Sequence, residues 1–199
     1  MATTRADGAR PTEADIAEAI VDGTPTRVDG KIVLADYDPA WPALFEREAA
    51  RIRSILGDDV RLLEHVGSTS IPGMAAKPVI DILLAVPDSS DEPSYIPRLE
   101  AAGYVLRIRE PDWHEHRLCK GPDTNINLHI FSIGSPELVR MLVFRDRLRS
   151  DPVAFERYLS AKRALADEDW EFVQQYADAK SEVVEALIAE ALAASGRGG

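Results

Sequence analysis

The residues with the clearest capacity for chemistry lie in segment 65–86, HVGSTSIPGMAAKPVIDILLAV. A strand-like run over 60–66 ends at Gly67, and a turn of small hydroxyl residues follows. In such a turn, backbone N–H groups and hydroxyls suit the oxygens of a phosphate, and a nearby lysine adds positive charge. The candidate phosphate-binding residues are therefore Gly67, Ser68, Thr69, Ser70 and Lys77. For Thr69 and Ser70, capping of the local backbone is the alternative.

Asp81 is the acid in an otherwise apolar run, with Ile80 before it and Ile82 after it. Burying a carboxylate is unfavourable unless it is paired, hydrogen-bonded or bound to a metal. This position makes Asp81 the first candidate for a catalytic and metal-binding residue. The alternative is a structural acid that accepts hydrogen bonds from the backbone or from Ser68.

Composition restricts the classes of partner. The chain has 199 residues, of which 45% are hydrophobic, enough for one domain with a substantial core or a domain with a helical appendage. A net charge of -11 argues against long DNA or RNA, which would require a basic surface. The single cysteine excludes an internal disulfide and fits a reducing compartment. Since no apolar run approaches 18 residues, we expect a cytoplasmic protein with no membrane partner.

Hydrophobic periodicity predicts strands and helices that alternate, followed by a helical part. The predicted strands are 31–37, 60–66, the run carrying Asp81, 104–109, and a hairpin of 117–120 with 127–132. The predicted helices are a short amphipathic one after Thr12, then about 41–57, 95–103, 136–149, 152–166 and 168–193. This order predicts an α+β fold with a mixed sheet flanked by helices.

The predicted domain organisation has three parts. Residues 1–30 form an N-terminal extension with the short helix, and residues 1–11 are expected to be disordered. Residues 31–193 form the main domain, with a sheet core over 31–134 and a helical part over 135–193. Residues 194–199 are expected to form a frayed tail.

The order of these motifs resembles the GrpB family, a group assigned to the nucleotidyltransferase superfamily with the DNA-polymerase-beta-like fold. The resemblance covers about 31–192 and rests on DYDPAWPALFEREAARI, HVGSTSIPGMAAKPVIDI, INLHIF and RDRLRSDP, together with Tyr176, Lys180 and Ser181. It implies a Gly-Ser turn that holds nucleotide phosphates and acids on adjacent strands that hold a divalent metal, Mg²⁺ or Mn²⁺. It also implies that side chains of the helical part close over the site and bind substrate phosphates, among Arg145, Lys162, Tyr176 and Lys180. A solvated helix face is the alternative for these four residues.

One position departs from the superfamily pattern. Gly67 and Ser68 match its glycine-serine pair and Asp81 matches its first acid, but Leu83 stands where the pattern has a second acid. A two-metal in-line displacement needs carboxylates that hold both ions. The departure therefore favours a site that still binds phosphate but does not carry out the two-metal reaction of the superfamily.

Two histidines give this alternative a concrete form. The strand expected to carry the superfamily's third acid has His129, and strand alternation puts it on one face with Asn127 and Phe131. If that strand neighbours the strand of Asp81, the two side chains lie close together. With His65 at the end of the preceding strand, the set would suit one Zn²⁺ or another transition metal better than Mg²⁺. For each histidine, a structural role is the alternative.

Two other polar features lie before the hairpin. Arg117 is a candidate to bind a triphosphate or a carboxylate of a ligand. The alternative is that it is an exposed charge at the edge of the sheet. The segment His114-Glu115-His116 is similar to a metal motif, but alternation would send Glu115 away from both histidines. We therefore predict a solvated loop there.

Three hypotheses follow. The first is an enzyme that transfers a nucleotidyl or phosphoryl group to a small acceptor, with a nucleotide or other phosphorylated small molecule as its partner. The second is a catalytically degraded module that binds a nucleotide or cofactor without turnover. The third is a single-metal enzyme of another reaction class, built from Asp81 and histidines. The sequence leaves the oligomeric state open.

Overall fold

A computed structural model describes residues 10–28 and 30–195. These residues form two compact units, which we call the sheet unit, 35–142, and the helical unit, 10–34 with 143–195. The predictions of disorder for residues 1–9 and of a frayed end for 196–199 lie outside the described residues. Arg10 was also predicted to be disordered. Its Cζ lies 4.1 Å from the centroid of the Trp170 ring, and its guanidinium donates a hydrogen bond to Glu168.

The sheet unit contains a mixed sheet, as predicted, and this sheet has five strands. Its strands are β1 (Leu62–Val66), β2 (Ile80–Val86), β3 (Val105–Glu110), β4 (His116–Lys120) and β5 (Ile126–Ser132). Their spatial order is β1-β2-β5-β4-β3, with β2 parallel to β5 and every other neighbouring pair antiparallel. Since side chains alternate along a strand, β2 sends Ile80, Ile82 and Leu84 to one face and Asp81, Leu83 and Ala85 to the other.

The first face of the sheet carries the main apolar core. Helices α2 (Trp41–Leu56) and α3 (Glu92–Ala101) pack there, and Gly57, where the sequence predicted the end of α2, is its C-cap residue. The core includes Phe45, Ala49, Ile52, Ile82 and Leu128. Apolar residues recur along α2 at helical spacing, so burial of one stripe holds the helix on the sheet. The second face carries a smaller cluster of Val66, Leu83, Ala85, Phe131 and Leu138.

The helical unit is built from short and medium helices. They are α1 (Glu13–Ala19), α5 (Pro152–Ala166), α6 (Val173–Ala179) and α7 (Ser181–Ser195), and the boundary between the units falls within α4 (Pro136–Ser150). A capping box at Thr12 begins α1, and Asp151 caps α5. Ile32, Ala166, Trp170 and Tyr176 form the core of this unit. In the part of the chain that is described, every helix is too short or too polar to cross a bilayer.

Two sequence predictions of secondary structure are wrong. Segment 31–37 is not a strand, because its pairing is limited to one isolated bridge between Ala35 and Ala76. Segment 168–193 is not one helix. Phe172 is extended and bridges to Arg27, and the Gln175 side chain accepts a hydrogen bond from Phe172 N at 3.2 Å, so a new helix begins at Val173.

Candidate functional site

Gly67 ends β1 and leads into a single 3-10 turn over Ser68–Ser70. Its backbone has φ +67° and ψ −175°, a conformation that is essentially restricted to glycine. An ideal Cβ on Gly67 would lie 2.2 Å from Oδ2 of Asp81 and 2.8 Å from its Cβ. Glycine is thus required here for the backbone conformation and for the close approach to Asp81.

The three hydroxyls of the turn have different surroundings. Ser70 Oγ donates to Gly67 O at 2.7 Å, and Thr69 Oγ1 donates to Val79 O at 3.1 Å. Both side chains are buried, which supports the alternative of local capping. Ser68 is partly exposed, and its hydroxyl makes no hydrogen bond to another described residue. Ser68 is therefore the hydroxyl of the turn that is available to a ligand.

Asp81 and His129 lie on the second face of the sheet. The parallel register pairs Asp81 with Asn127 and Leu83 with His129, so all four side chains share this face. Asp81 Oδ1 accepts a hydrogen bond from Asn127 Nδ2 at 2.8 Å and lies 3.7 Å from His129 Nε2. The proximity of Asp81 and His129 that alternation predicted is confirmed.

Two lysines lie in the electrostatic field of Asp81. Burial lowers the pKa of Lys77 below its ordinary value, and the charge of Asp81 opposes that shift. Burial also lowers the pKa of Lys120, again with Asp81 acting in the opposite direction. Lys120 Nζ donates to Asn127 Oδ1 at 2.8 Å, which connects it to the carboxylate through the amide. Lys120 was not among the residues predicted from the sequence.

A partly buried polar chain extends from His129 away from Asp81. His129 Nδ1 lies 3.1 Å from His116 Nε2, and His116 Nδ1 lies 2.6 Å from Glu110 Oε2. The two imidazole rings stack with centroids 5.3 Å apart. Burial lowers the pKa of His116 to about 4, against the raising effect of Glu110. Burial would raise the pKa of Glu110, but the hydrogen bond with His116 brings it below its ordinary value.

The prediction of a solvated loop at 114–116 is therefore wrong for His116. This residue begins β4, is 3% exposed, and stacks on Phe131 with centroids 4.8 Å apart. His114 and Glu115 form a turn in which both have positive φ, 54° and 52°. Because Leu118 pairs with His129, alternation along β4 was the signal that could have placed His116 next to His129.

His65 does not join Asp81 and His129. In the antiparallel register of β1 and β2, Val66 pairs with Asp81 and His65 pairs with Ile82. His65 consequently lies on the first face, where it stacks on Phe45 with centroids 4.9 Å apart and Nε2 lies 3.1 Å from Thr69 Oγ1. Within residues 10–28 and 30–195, no group of three or more His, Cys, Asp or Glu side chains is arranged to hold a metal.

Arg117 also lies on the first face of the sheet, away from Asp81. It pairs with Ile130 across β4 and β5, is 4% exposed, and donates to Glu92 Oε1 at 2.6 Å and to Glu115 Oε2 at 3.1 Å. The structure therefore places it in a buried ion-pair cluster and does not bring it together with the Gly67 turn.

A profile of the GrpB protein family matches residues 31–190. The chain belongs to the GrpB family. It is 58% identical over 163 residues to a UPF0157 protein of Halalkalibacterium halodurans, covering 82% of this chain and 84% of that protein. It is 41% identical over 191 residues to a UPF0157 protein of Streptomyces coelicolor, covering 96% and 98%. The crystal structure of conserved protein GrpB from Enterococcus faecalis matches with a TM-score of 0.70 and 31% identity, over 82% of this chain and 99% of that one.

In this GrpB protein, the position at which the sequence departs from the pattern it resembles is part of the core. Leu83 is fully buried and packs with Val66, Ala85 and Phe131. An acid at this position would be buried among apolar side chains, and burial of an unpaired carboxylate is unfavourable. Leucine therefore fits the second face of this sheet.

The remaining predicted residues of the GrpB chain lie in the helical unit. Arg145 Nε donates to Asp146 at 2.7 Å. Lys162 is 2% exposed, with Nζ 5.4 Å from the centroid of the Tyr158 ring. Lys180 Nζ lies 4.4 Å from the centroid of the Tyr176 ring. Their predicted role in binding substrate phosphates stays a prediction.

Proposed function

We propose that this GrpB protein binds a nucleotide or another phosphorylated small molecule at Gly67–Ser68, with a divalent cation at Asp81, and transfers a nucleotidyl or phosphoryl group to a small acceptor. The observation that carries the proposal is the contact between the glycine turn and the carboxylate, where a Cβ on Gly67 would lie 2.2 Å from Asp81 Oδ2. A phosphate at the turn and a cation at the acid would therefore be neighbours.

The charges around Asp81 favour an anion that arrives together with a cation. The carboxylate alone would repel a phosphate at this distance, and a divalent cation between them removes the repulsion. Lys77 and Lys120 both interact electrostatically with Asp81 and add positive charge near it. Ser68 offers a hydroxyl that can donate to a phosphate oxygen.

The donor atoms at the site fit a single cation. Asp81 Oδ1 and His129 Nε2 lie 3.7 Å apart, so both can face the same ion. Mg²⁺ is commonly held by one or two carboxylates together with substrate phosphates, whereas an imidazole donor favours Mn²⁺, Zn²⁺ or another transition metal. Such an ion would supply charge stabilisation for the phosphate oxygens during transfer.

Within this site, the roles of the protein groups are separate. The turn fixes the phosphate, the lysines neutralise its charge, and the Nε2 lone pair of His129 faces the cation together with Asp81. Leu83 leaves the site without the second carboxylate that a pair of metals would require.

A second candidate function is a module that binds the same ligand without turnover. It is favoured by Leu83, a fully buried leucine that stands where the superfamily pattern has a second acid. Both candidates share the ligand site, so binding and turnover must be measured separately.

A thermal-shift panel tests the proposal. Wild type and Asp81→Asn would be heated with ATP, CTP, GTP or UTP, each with Mg²⁺, Mn²⁺, Zn²⁺ or no metal. A ligand at about 100-fold above its Kd stabilises the fold by about 2.7 kcal/mol. We expect a metal-dependent rise in Tm for wild type that Asp81→Asn loses.

The matched control is Asp58→Asn. Asp58 is exposed and precedes β1, whose first residue pairs with Ala85 at the far end of β2 from Asp81. This variant should respond like wild type. Phosphorus NMR of the stabilising mixture then separates transfer from binding alone. An absence of any metal-dependent nucleotide response in wild type would contradict both candidates as nucleotide-binding proteins.

A further inference from the structure

Glu110, His116, His129 and Asp81 form a line of four polar groups across four neighbouring strands, β3, β4, β5 and β2. The successive distances are 2.6 Å from Glu110 to His116, 3.1 Å from His116 to His129 and 3.7 Å from His129 to Asp81. The first two are hydrogen-bond distances and the third is not. This asymmetry restricts where the protons of the two imidazoles reside.

The Glu110 end determines the tautomer of His116. An ionised carboxylate can only accept, so His116 must donate from Nδ1. His116 is 3% exposed, and burial disfavours a charged imidazole. A neutral ring with its proton on Nδ1 has a lone pair on Nε2. That nitrogen therefore accepts a hydrogen bond from the neighbouring histidine.

The tautomer of His116 in turn determines that of His129. Its Nδ1 must donate to His116 Nε2, because the 3.1 Å contact requires one donor. The proton of a neutral His129 is then on Nδ1, and its Nε2 has a lone pair directed toward Asp81. Two acceptor atoms facing each other cannot form a hydrogen bond, in agreement with their separation of 3.7 Å.

We propose that Glu110 and His116 are positioning residues that hold His129 in the Nδ1–H tautomer, so that Asp81 and His129 present two lone-pair donors to one cation. The cation between Asp81 and His129 rests on the proposed function. The tautomer of His129 rests on the hydrogen-bond geometry alone. Ligating histidines generally donate their other ring N–H to an acceptor, which orients the ring and fixes the tautomer. Here a second histidine, His116, is the acceptor. Its hydrogen bond to Glu110 determines which of its ring nitrogens carries the proton.

The inference predicts a coupled change when the carboxylate is removed. In Glu110→Met, His116 has no acceptor at Nδ1 and can move its proton to Nε2. It would then donate to His129 Nδ1, and the His129 proton would move to Nε2, where it faces Asp81. In Glu110→Gln, the side-chain carbonyl still accepts, so the wild-type tautomers should persist. The two variants form a matched pair, since each replaces Glu110 with an uncharged side chain.

The test is long-range ¹H–¹⁵N NMR of the imidazole rings in wild type, Glu110→Gln and Glu110→Met, without metal or nucleotide. We expect His129 to be protonated on Nδ1 only in wild type and Glu110→Gln, and on Nε2 in Glu110→Met. A proton on His129 Nε2 in wild type would overturn the inference, as would an unchanged tautomer in Glu110→Met. If Glu110→Met fails to fold, His116→Phe takes its place, because it removes the acceptor for His129 Nδ1 while keeping an aromatic ring against Phe131.

Titration of Mn²⁺ alone provides the second readout. We expect Glu110→Met to bind Mn²⁺ about 10- to 100-fold more weakly than wild type, and Glu110→Gln to bind it like wild type. If wild type shows the expected tautomer but binds no cation, the proposed function fails while the positioning of His129 stands. If Mn²⁺ binds but His129 carries its proton on Nε2, the positioning fails while the cation site stands.

Discussion

Gly67 and Asp81 are in contact across the end of β1 and the start of β2. The carboxylate fills the space that a side chain at position 67 would occupy, since an ideal Cβ there would be 2.2 Å from Asp81 Oδ2. Val66, the residue before Gly67, pairs with Asp81 in the antiparallel ladder, which fixes this contact. The glycine therefore keeps the Ser68 turn against the candidate cation site.

Gly67→Ala tests the contact. We expect a loss of at least about 2 kcal/mol in the free energy of unfolding, because alanine disfavours the backbone conformation and its Cβ collides with Asp81. Urea denaturation measures the loss. Gly57→Ala is the matched control, since Gly57 has φ +56° but no atom within 4 Å of an added Cβ. Equal losses in the two variants would contradict a specific contact with Asp81.

The predicted fold was correct wherever local periodicity and turn residues determined it. Helix α2, with its apolar stripe and Gly57, and the hairpin of β4 and β5 are of this kind. The break before α6 was not predicted because it depends on a bridge from Phe172 to Arg27, 145 positions earlier, which no local pattern contains. Segment 31–37 has the composition of a strand but pairs only at Ala35.

The candidate site was predictable only in part. Alternation placed Asp81 and His129 on one face because their strands are neighbours. His65 was grouped with Asp81 and His129, but side chains alternate along β1. The register of β1 on β2, which cannot be read from composition, places Val66 and not His65 opposite Asp81. His116 was missed because the positive-φ turn at His114 and Glu115 directs the chain into β4 earlier than the sequence indicated.

His65 and His129 should respond to substitution in opposite ways. His65→Ala removes a buried ring stacked on Phe45, so we expect a loss of about 3 kcal/mol in stability with no change in Mn²⁺ affinity. His129→Ala should lower Mn²⁺ affinity with a smaller effect on stability, because His129 is partly exposed. Urea denaturation and Mn²⁺ titration of both variants measure these effects. Loss of Mn²⁺ binding in His65→Ala with stability unchanged would contradict the assignment of His65 to the core.

Arg117 is expected to act in stability alone. Arg117→Met leaves the acids around it without a buried cation, which typically costs about 3 kcal/mol. Arg109→Met is the control, because Arg109 also pairs with Glu92 at 2.6 Å but is far more exposed, so we expect a loss of about 1 kcal/mol or less. Nucleotide-dependent thermal shifts should survive in both variants. Loss of these thermal shifts in an Arg117→Met protein that remains stable would indicate that Arg117 binds the ligand.

Glu92 should contribute to the loss of stability that the protein shows as the pH falls. Its hydrogen bond with Arg109 lowers its pKa below the ordinary value of 4.5, against burial and with further help from Arg117. In the region between the two pKa values the unfolded chain binds more protons than the native one, so this stabilisation is present above pH 4.5 and is lost as pH falls through the native pKa. Urea denaturation from pH 6 to pH 3 should therefore show a shallower decline in Glu92→Gln than in wild type. Parallel declines would contradict the ion pair.

The central claim is a cation held by Asp81 beside a phosphate at Gly67 and Ser68. Its most direct test is the binding of Mn²⁺, followed by electron paramagnetic resonance, to wild type, Asp81→Asn and Asp58→Asn with ATP, CTP, GTP and UTP in turn. We predict one Mn²⁺ per chain in wild type, bound more tightly with at least one triphosphate present. Asp81→Asn should bind at least about tenfold more weakly, and Asp58→Asn should match wild type. Equal affinity in Asp81→Asn and wild type, or no Mn²⁺ bound to wild type with any triphosphate, would contradict the claim.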